Sequence, residues 1–129
     1  MSVRRQLEDA RWLAGNSELQ KARLLCAEIV LDHLFELASD RELLRLTIAT
    51  LIHARGFQLL GRLLLAVDGR RVRVSIGAPG EATASPPHLI VRTDADGVTS
   101  FTLAERLFSD PSRVAVIDRW SEELARGRS

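Results

Sequence analysis

Several residue types are scarce in this chain of 129 residues, and each scarcity excludes a class of protein. Cys26 is the single cysteine, so no disulfide can form within the chain, which fits a reducing compartment. Tyrosine is absent and aromatic residues make up 5% of the chain, which removes most stacking platforms for single-stranded nucleic acid. The net charge is +1, so attraction to nucleic acid or anionic lipid must come from a local cluster of charges.

Long apolar runs and targeting signals are also lacking. The most apolar stretch, residues 59–67, is interrupted by Arg62, so no transmembrane helix is predicted. The N-terminal residues contain no apolar run of the length that a signal peptide needs. We therefore expect a cytoplasmic protein without membrane contacts, and the length predicts a single domain over residues 1–129.

The sequence contains none of the familiar catalytic or metal-binding motifs. There is no Gly-x-Ser-x-Gly, no phosphate-binding Gly-rich loop and no Glu-x-x-His, and the three histidines fall in separate predicted elements. We therefore nominate no catalytic residue, no metal ligand and no cofactor, and favour a protein that is not an enzyme. The enzymatic alternative places a site near the Gly- and Pro-rich segment 77–87, with Glu81 and His88.

Three helices are predicted within residues 3–55. The first covers residues 3–14 with apolar side chains at helical spacing, and capping boxes at Ser17 and Ser39 begin the second and third. The third helix is apolar nearly all round over residues 43–52, which is typical of a helix buried between other layers.

An antiparallel sheet of two hairpins is predicted over residues 57–103. Asp68-Gly69 between apolar runs is typical of a two-residue type I′ turn, so residues 57–67 are interpreted as a strand. A second hairpin follows, whose strands are joined either by the four-residue loop 94–97 or by a tight turn at Asp96-Gly97, and a C-terminal helix is predicted over residues 112–126. The predicted fold class is α+β, with the helical layer packed on this sheet and the C-terminal helix closing the core.

Arginines and valines alternate after the predicted turn, which places the valines on a core and the arginines on the opposite face. Arg62, Arg71 and Arg73 share that face, with Arg92 from the second hairpin, and we nominate these four for partner binding. The plainer alternative is a solvated face whose charges discourage pairing between sheet edges. Trp12 lies off the apolar stripe of its helix and is a further candidate for an interface.

A line of carboxylates is predicted on the second helix. Glu28, Asp32 and Glu36 follow one another at intervals of four residues, where like charges repel. Arg41 and Arg45 on the next helix are the candidates for compensating this charge, and a basic partner is the alternative.

The leading functional hypothesis is a small protein-interaction module, either an adaptor, a chaperone-like protein or a regulator. Its expected partner is another protein or a second copy of the chain, as a homodimer. The alternative is a DNA- or RNA-binding regulator, because three helices followed by an arginine-bearing hairpin is the order of winged-helix proteins. That alternative is weakened by residues 42–53, which offer few polar side chains where such a protein would read base edges.

Overall fold

The computed structural model describes residues 2–76, 89–103 and 114–125. In these ranges the helices are α1 (Val3–Gly15), α2 (Leu19–Ser39), α3 (Arg41–His53), α4 (Phe57–Asp68) and α5 (Val114–Ala125). The strands are β1 (Val72–Ile76), β2 (Leu89–Thr93) and β3 (Thr99–Leu103).

The fold is α+β, as the sequence predicts at that level. Helices α1 to α4 form an N-terminal layer packed on a three-stranded mixed sheet, and α5 packs against α3. One core joins the helices to Val74 of β1 and Leu103 of β3. Among the helices of the described ranges, none combines the length and the apolar character that crossing a lipid bilayer requires.

The first two helices bury the stripes expected from their sequences. Val3, Leu7 and Ala10 of α1 are buried, and the hydroxyl of Ser2 accepts a hydrogen bond from the Arg5 amide at 3.2 Å. In α2 the buried stripe includes Cys26, and the helix begins one residue later than a cap at Ser17 implies. The backbone of α2 leaves helical geometry at His33 (φ −131°, ψ 27°), so the helix is kinked there.

Helix α3 is the central helix of the core, as its all-round apolar sequence predicts. The Asp40 carboxylate accepts hydrogen bonds from the amides of Glu42 and Leu43, so Asp40 is the N-cap rather than Ser39. The two buried hydroxyls of α3, those of Thr47 and Thr50, each donate to the carbonyl four residues earlier at 2.7 Å. Burial of these polar groups therefore leaves no unsatisfied donor.

The prediction of a strand at residues 57–67 is wrong, because these residues form α4. Leu60, Leu63 and Leu64 are fully buried, and their three- and four-residue spacing is that of one helix face. Gly69 adopts φ +75° and its amide donates to the Leu65 carbonyl at 2.9 Å, which ends the helix. A positive φ at glycine serves a helix C-terminus as well as a hairpin turn, so the Asp-Gly pair did not distinguish the two.

Without the first hairpin, the sheet is mixed rather than antiparallel. β1 pairs in parallel with β3, with Val72 opposite Thr99 and Ile76 opposite Leu103, and the strand order is β1-β3-β2. The alternation predicted along β1 is correct, because Val74 is buried while Arg73 and Ser75, on either side of it, are exposed. The side-chain pattern was therefore right and the pairing partner wrong.

The second predicted hairpin is confirmed. β2 and β3 are antiparallel, with Thr93 opposite Thr99. The connection is closed by a hydrogen bond from the Asp94 amide to the Val98 carbonyl at 3.0 Å, and Gly97 adopts φ +81°. The three residues between that pair follow the common arrangement of a turn completed by a left-handed glycine. Segment 77–87, where the enzymatic alternative places its site, and residues 112, 113 and 126 of the predicted C-terminal helix lie outside the described residues.

Helix α4 lies very close to β1 at Gly61. A Cβ atom added to Gly61 would be 2.9 Å from the Val72 carbonyl oxygen, closer than real Cβ contacts. The Thr99 amide of β3 donates a hydrogen bond to the Arg71 carbonyl. Successive carbonyls along a strand point in opposite directions, so the Val72 carbonyl points away from β3 and toward α4. Glycine at position 61 thus lets the helix cover the outer edge of β1, which would otherwise present free hydrogen-bonding groups.

Arg70 ties the end of α4 to the C-terminal helix. Its Nε donates to Asp68 Oδ2 at 2.6 Å, and its Nη2 donates to the carbonyl of Leu124 in α5. Both Arg70 and Asp68 are largely shielded from solvent. Arg70 is therefore a structural cation, and does not belong to the exposed arginine face.

His53 lies at the junction of α1, α3 and α5. Its Nε2 atom is buried and has no hydrogen-bond partner in the described part of the chain. The pKa of the imidazole is lowered to about 4, mainly by burial and in smaller part by the Arg11 guanidinium, while Asp118 opposes the shift. Arg11 and Asp118 themselves form an ion pair at 3.4 Å between α1 and α5. The native state therefore holds His53 neutral.

Replacement of Gly61 with alanine tests the close approach of α4 to β1. Helix propensity alone favours alanine by about 1 kcal/mol, but forcing a methyl group against a carbonyl costs roughly 1–3 kcal/mol. We expect Gly61→Ala to lower the free energy of unfolding in urea by up to about 2 kcal/mol, which is the packing cost less the gain in helix propensity. The control is Gly15→Ala, where the added Cβ meets open space, and its stability should stay equal or rise. Equal effects at both glycines would contradict the close approach.

The pH dependence of stability tests the buried state of His53. The unfolded chain binds a proton near pH 6.5 and the folded chain only near pH 4, so stability is lost as the pH falls through this window. Between pH 7 and 5.5 the wild-type chain should lose about 1 kcal/mol more unfolding free energy than His53→Leu, which cannot titrate there. The measurement is urea unfolding at both pH values, and identical losses would show that His53 is solvated.

Candidate functional site

The predicted arginines Arg62, Arg71 and Arg73 come together around α4 although the predicted hairpin does not exist. A cleft of about 500 Å³ lies between α4 and β1, and all three arginines line it. We call it the strand-side cleft. Arg62 follows Gly61 on the exposed face of the helix, and Arg73 lies on the outward face of β1. Arg62 therefore lies close to Arg71 and Arg73 because α4 packs on β1, and not because two strands pair.

A second cleft, of about 490 Å³, lies on the other side of α4, between this helix and α2. We call it the helix-side cleft. Arg23, Arg55 and Arg62 line it, so Arg62 belongs to both clefts. Phe57 also lines both and supplies an apolar wall. The sequence analysis missed Arg23 and Arg55, because their approach to Arg62 depends on how α2 packs against α4.

These five arginines, Arg23, Arg55, Arg62, Arg71 and Arg73, form what we call the arginine surface. None of the described residues that line either cleft is an aspartate or a glutamate. Guanidinium groups stay protonated at any physiological pH, so the surface is positively charged throughout the working range. The net charge of +1 for the whole chain conceals this local concentration.

Two members of the arginine surface are held by backbone carbonyls. Arg23 Nη1 donates to the Ala54 carbonyl at 2.9 Å, and Arg71 Nη1 donates to the Asp96 carbonyl at 3.1 Å. Neither bond neutralises the charge, because the acceptor is an uncharged amide oxygen. Arg62 and Arg73 are exposed and make no ion pair with another residue of the described ranges. The surface therefore combines anchored and unrestrained guanidinium groups.

Arg92 extends the positive charge across the sheet. It is exposed on β2 opposite Ser100 of β3, and Ser100 is in turn opposite Arg73 of β1. Residues directly opposite share a sheet face, so Arg73 and Arg92 lie on one face about 10 Å apart, two strand spacings. The prediction that Arg73 and Arg92 share one face of the sheet is confirmed, although Arg92 does not line either cleft.

Trp12 is separate from the arginine surface. Its side chain is 66% exposed, so its predicted position off the buried stripe is confirmed. It lies near the end of α1 and is not among the residues lining either cleft. A role of Trp12 in an interface remains a hypothesis.

The acidic line on α2 is exposed and is not compensated as expected. Arg45 does not reach Glu28, Asp32 or Glu36; it forms a two-point ion pair with Glu42 of its own helix, at 2.6 and 3.1 Å. That hydrogen-bonded pair lowers the pKa of Glu42. Glu36 contacts the His33 ring at 3.1 Å, whereas Glu28 and Asp32 have no ion pair within the described ranges. Arg45 pairs with Glu42 rather than with the carboxylates of α2, because side chains three residues apart are neighbours on one helix.

Cysteine, histidine and carboxylate side chains, which could serve as nucleophiles or metal ligands, form neither kind of site in the described ranges. Cys26 is fully buried, and burial raises the pKa of its thiol to about 12, so it stays protonated and unreactive at neutral pH. Within the described ranges, no group of three or more His, Cys, Asp or Glu residues is placed to hold a metal ion. Glu81 and His88, on which the enzymatic alternative depends, lie outside the described residues.

The element order differs from the winged-helix order. Four helices precede β1, and the arginine-bearing segment is one strand with no hairpin of its own. The helix α3, which would have to read base edges, is central to the core. A search of protein-family models, of curated proteins and of solved structures finds no match to this chain.

Proposed function

We propose that this chain is a small, non-enzymatic interaction module that binds an acidic and partly apolar protein segment along α4. The observation behind this proposal is the arginine surface, in which five guanidinium groups surround two clefts whose described lining contains no carboxylate. An arginine donates two parallel hydrogen bonds to a carboxylate, which makes such a surface suited to Asp and Glu side chains.

The clefts also offer apolar contacts, which favour a protein over a simple anion. Phe57 lines both clefts, Leu24 lies at the helix-side cleft and Leu65 at the strand-side cleft. Leu24 and Leu65 are 60% and 52% exposed, so a partner can still bury much of their surface. Apolar side chains between guanidinium groups are typical of protein interfaces, where Arg and aromatic residues contribute most of the binding energy.

Arg92 and Trp12 are proposed as peripheral contacts. Arg92 lies on the same sheet face as Arg73 and would extend an acidic partner across β3. Charges at the rim of an interface mainly raise the association rate, so removing Arg92 should weaken binding less than removing Arg62. Trp12 would require a partner large enough to reach α1.

Nucleic-acid binding is the alternative for the same arginines, since guanidinium groups also bind phosphates. Phe57 is the one aromatic among the described residues lining the two clefts, which is little for stacking successive bases. This alternative predicts affinity that falls steeply with salt, because each neutralised phosphate releases counterions.

The test is fluorescence anisotropy with two labelled probes, a synthetic helical peptide of glutamates and leucines and a short DNA duplex. Wild-type chain should bind the peptide, and Arg62→Glu/Arg73→Glu should weaken that binding by at least about 10-fold because two of the five attractive charges become repulsive. The matched control is Arg41→Glu/Arg119→Glu, which makes the same change in net charge at two exposed arginines outside the clefts. Its affinity should stay within about twofold of the wild type.

Two outcomes would contradict the proposal. Equal weakening by both double variants would mean that only the net charge matters. Absence of peptide binding together with DNA affinity that falls steeply with salt would favour the nucleic-acid alternative.

A further inference from the structure

The most exposed apolar side chains of the described ranges lie on the outer face of α2. Leu31 is 82% exposed and Phe35 is 91% exposed, and Leu24, two turns before Leu31, is 60% exposed. Leu24 and Leu31 are seven residues apart before the kink at His33 and lie on one helix face, and Phe35 follows directly after the kink. Large apolar side chains that are this exposed on one helix, unlike scattered ones, mark an interaction surface.

Carboxylates accompany these apolar side chains. Glu28, Asp32 and Glu36 are exposed beside Leu31 and Phe35, and Glu28 and Asp32 have no ion pair within the described ranges. We call these five residues the acidic face of α2. It has the composition that the arginine surface is suited to bind, with carboxylates next to large apolar groups.

The acidic face and the arginine surface adjoin each other on the same molecule. Leu24 lines the helix-side cleft together with Arg23, and the acidic face continues from Leu24 along α2. A two-fold axis between the two regions would place the acidic face of each copy on the arginine surface of the other. Such an arrangement makes every contact twice and closes after two copies, as symmetric dimers do.

We propose that the chain forms a homodimer in which the acidic face of α2 in one copy binds the arginine surface around α4 in its partner. This inference rests on the proposed function, since it names the acidic segment as one supplied by a second copy. Charge complementarity selects the occupant: opposite charges are segregated into two neighbouring regions of one chain, and apolar groups lie in both. Leu31 and Phe35 would be covered against the apolar wall that Phe57 provides.

The inference is tested by reversing each charge set separately and then mixing the variants. Arg62→Glu/Arg73→Glu places two negative charges among the three remaining arginines of the arginine surface, and Asp32→Arg/Glu36→Arg leaves Glu28 as the one carboxylate of the acidic face. Sedimentation velocity of the wild-type chain up to roughly 100 µM should show a dimer, and each variant alone should dissociate at least about 10-fold more readily. An equimolar mixture of the two variants should dimerise again, because one contact then has its wild-type charges and in the other the introduced arginines at positions 32 and 36 face the introduced glutamates at positions 62 and 73.

The control is Arg41→Glu/Arg119→Glu, which should remain dimeric. All of these substituted positions are exposed, so circular dichroism and thermal unfolding should show native folding in every variant. A monomeric wild type, a dimer that survives either reversal, or a mixture of the reversed variants that stays monomeric would each overturn the dimer.

Failure of the dimer is distinguishable from failure of the proposed function. A monomeric chain that binds the glutamate–leucine peptide through Arg62 and Arg73 would refute the dimer and leave the interaction module intact. A chain that neither dimerises nor binds the peptide would refute both.

Discussion

The close packing of α4 on β1 is the constraint on which the arginine surface depends. Because Gly61 has no Cβ, the helix backbone can approach the Val72 carbonyl and cover the outer edge of the strand. Arg62, on the helix, then lies beside Arg71 and Arg73 at one cleft. A larger residue at position 61 would push the helix away from the strand and separate these charges.

Segregation of charge is the second organising feature. Carboxylates are exposed along α2, while the arginine surface lies on both sides of α4 and is next to α2 at the helix-side cleft. Arg45 pairs with Glu42 and Arg70 with Asp68, so these two arginines do not reach the acidic face. Glu28 and Asp32 of that face, and Arg62 and Arg73 of the arginine surface, make no ion pair within the described ranges. Regions of opposite charge on one small domain favour specific orientation of a partner over nonspecific attraction.

Sequence reasoning succeeded where one element alone determines the pattern. The buried stripe of α1, the all-round burial of α3, the hairpin of β2 and β3, and the outward arginine of β1 follow from periods of 3.6 and 2 residues. It failed at α4, where an apolar run ends in Asp-Gly. Such a run is compatible with a strand or a helix, and Gly69 satisfies the geometry of either ending.

The sequence by itself determined the α+β class, the buried faces of most elements and the exposure of Arg71, Arg73 and Arg92, because local periodicity fixes which side chains face a core. Only the tertiary structure decided that β1 pairs with β3, and that Arg23 and Arg55 complete the arginine surface from other helices. The reason is physical: strand partners and helix contacts are selected by packing between elements distant in sequence, and no local pattern encodes that choice.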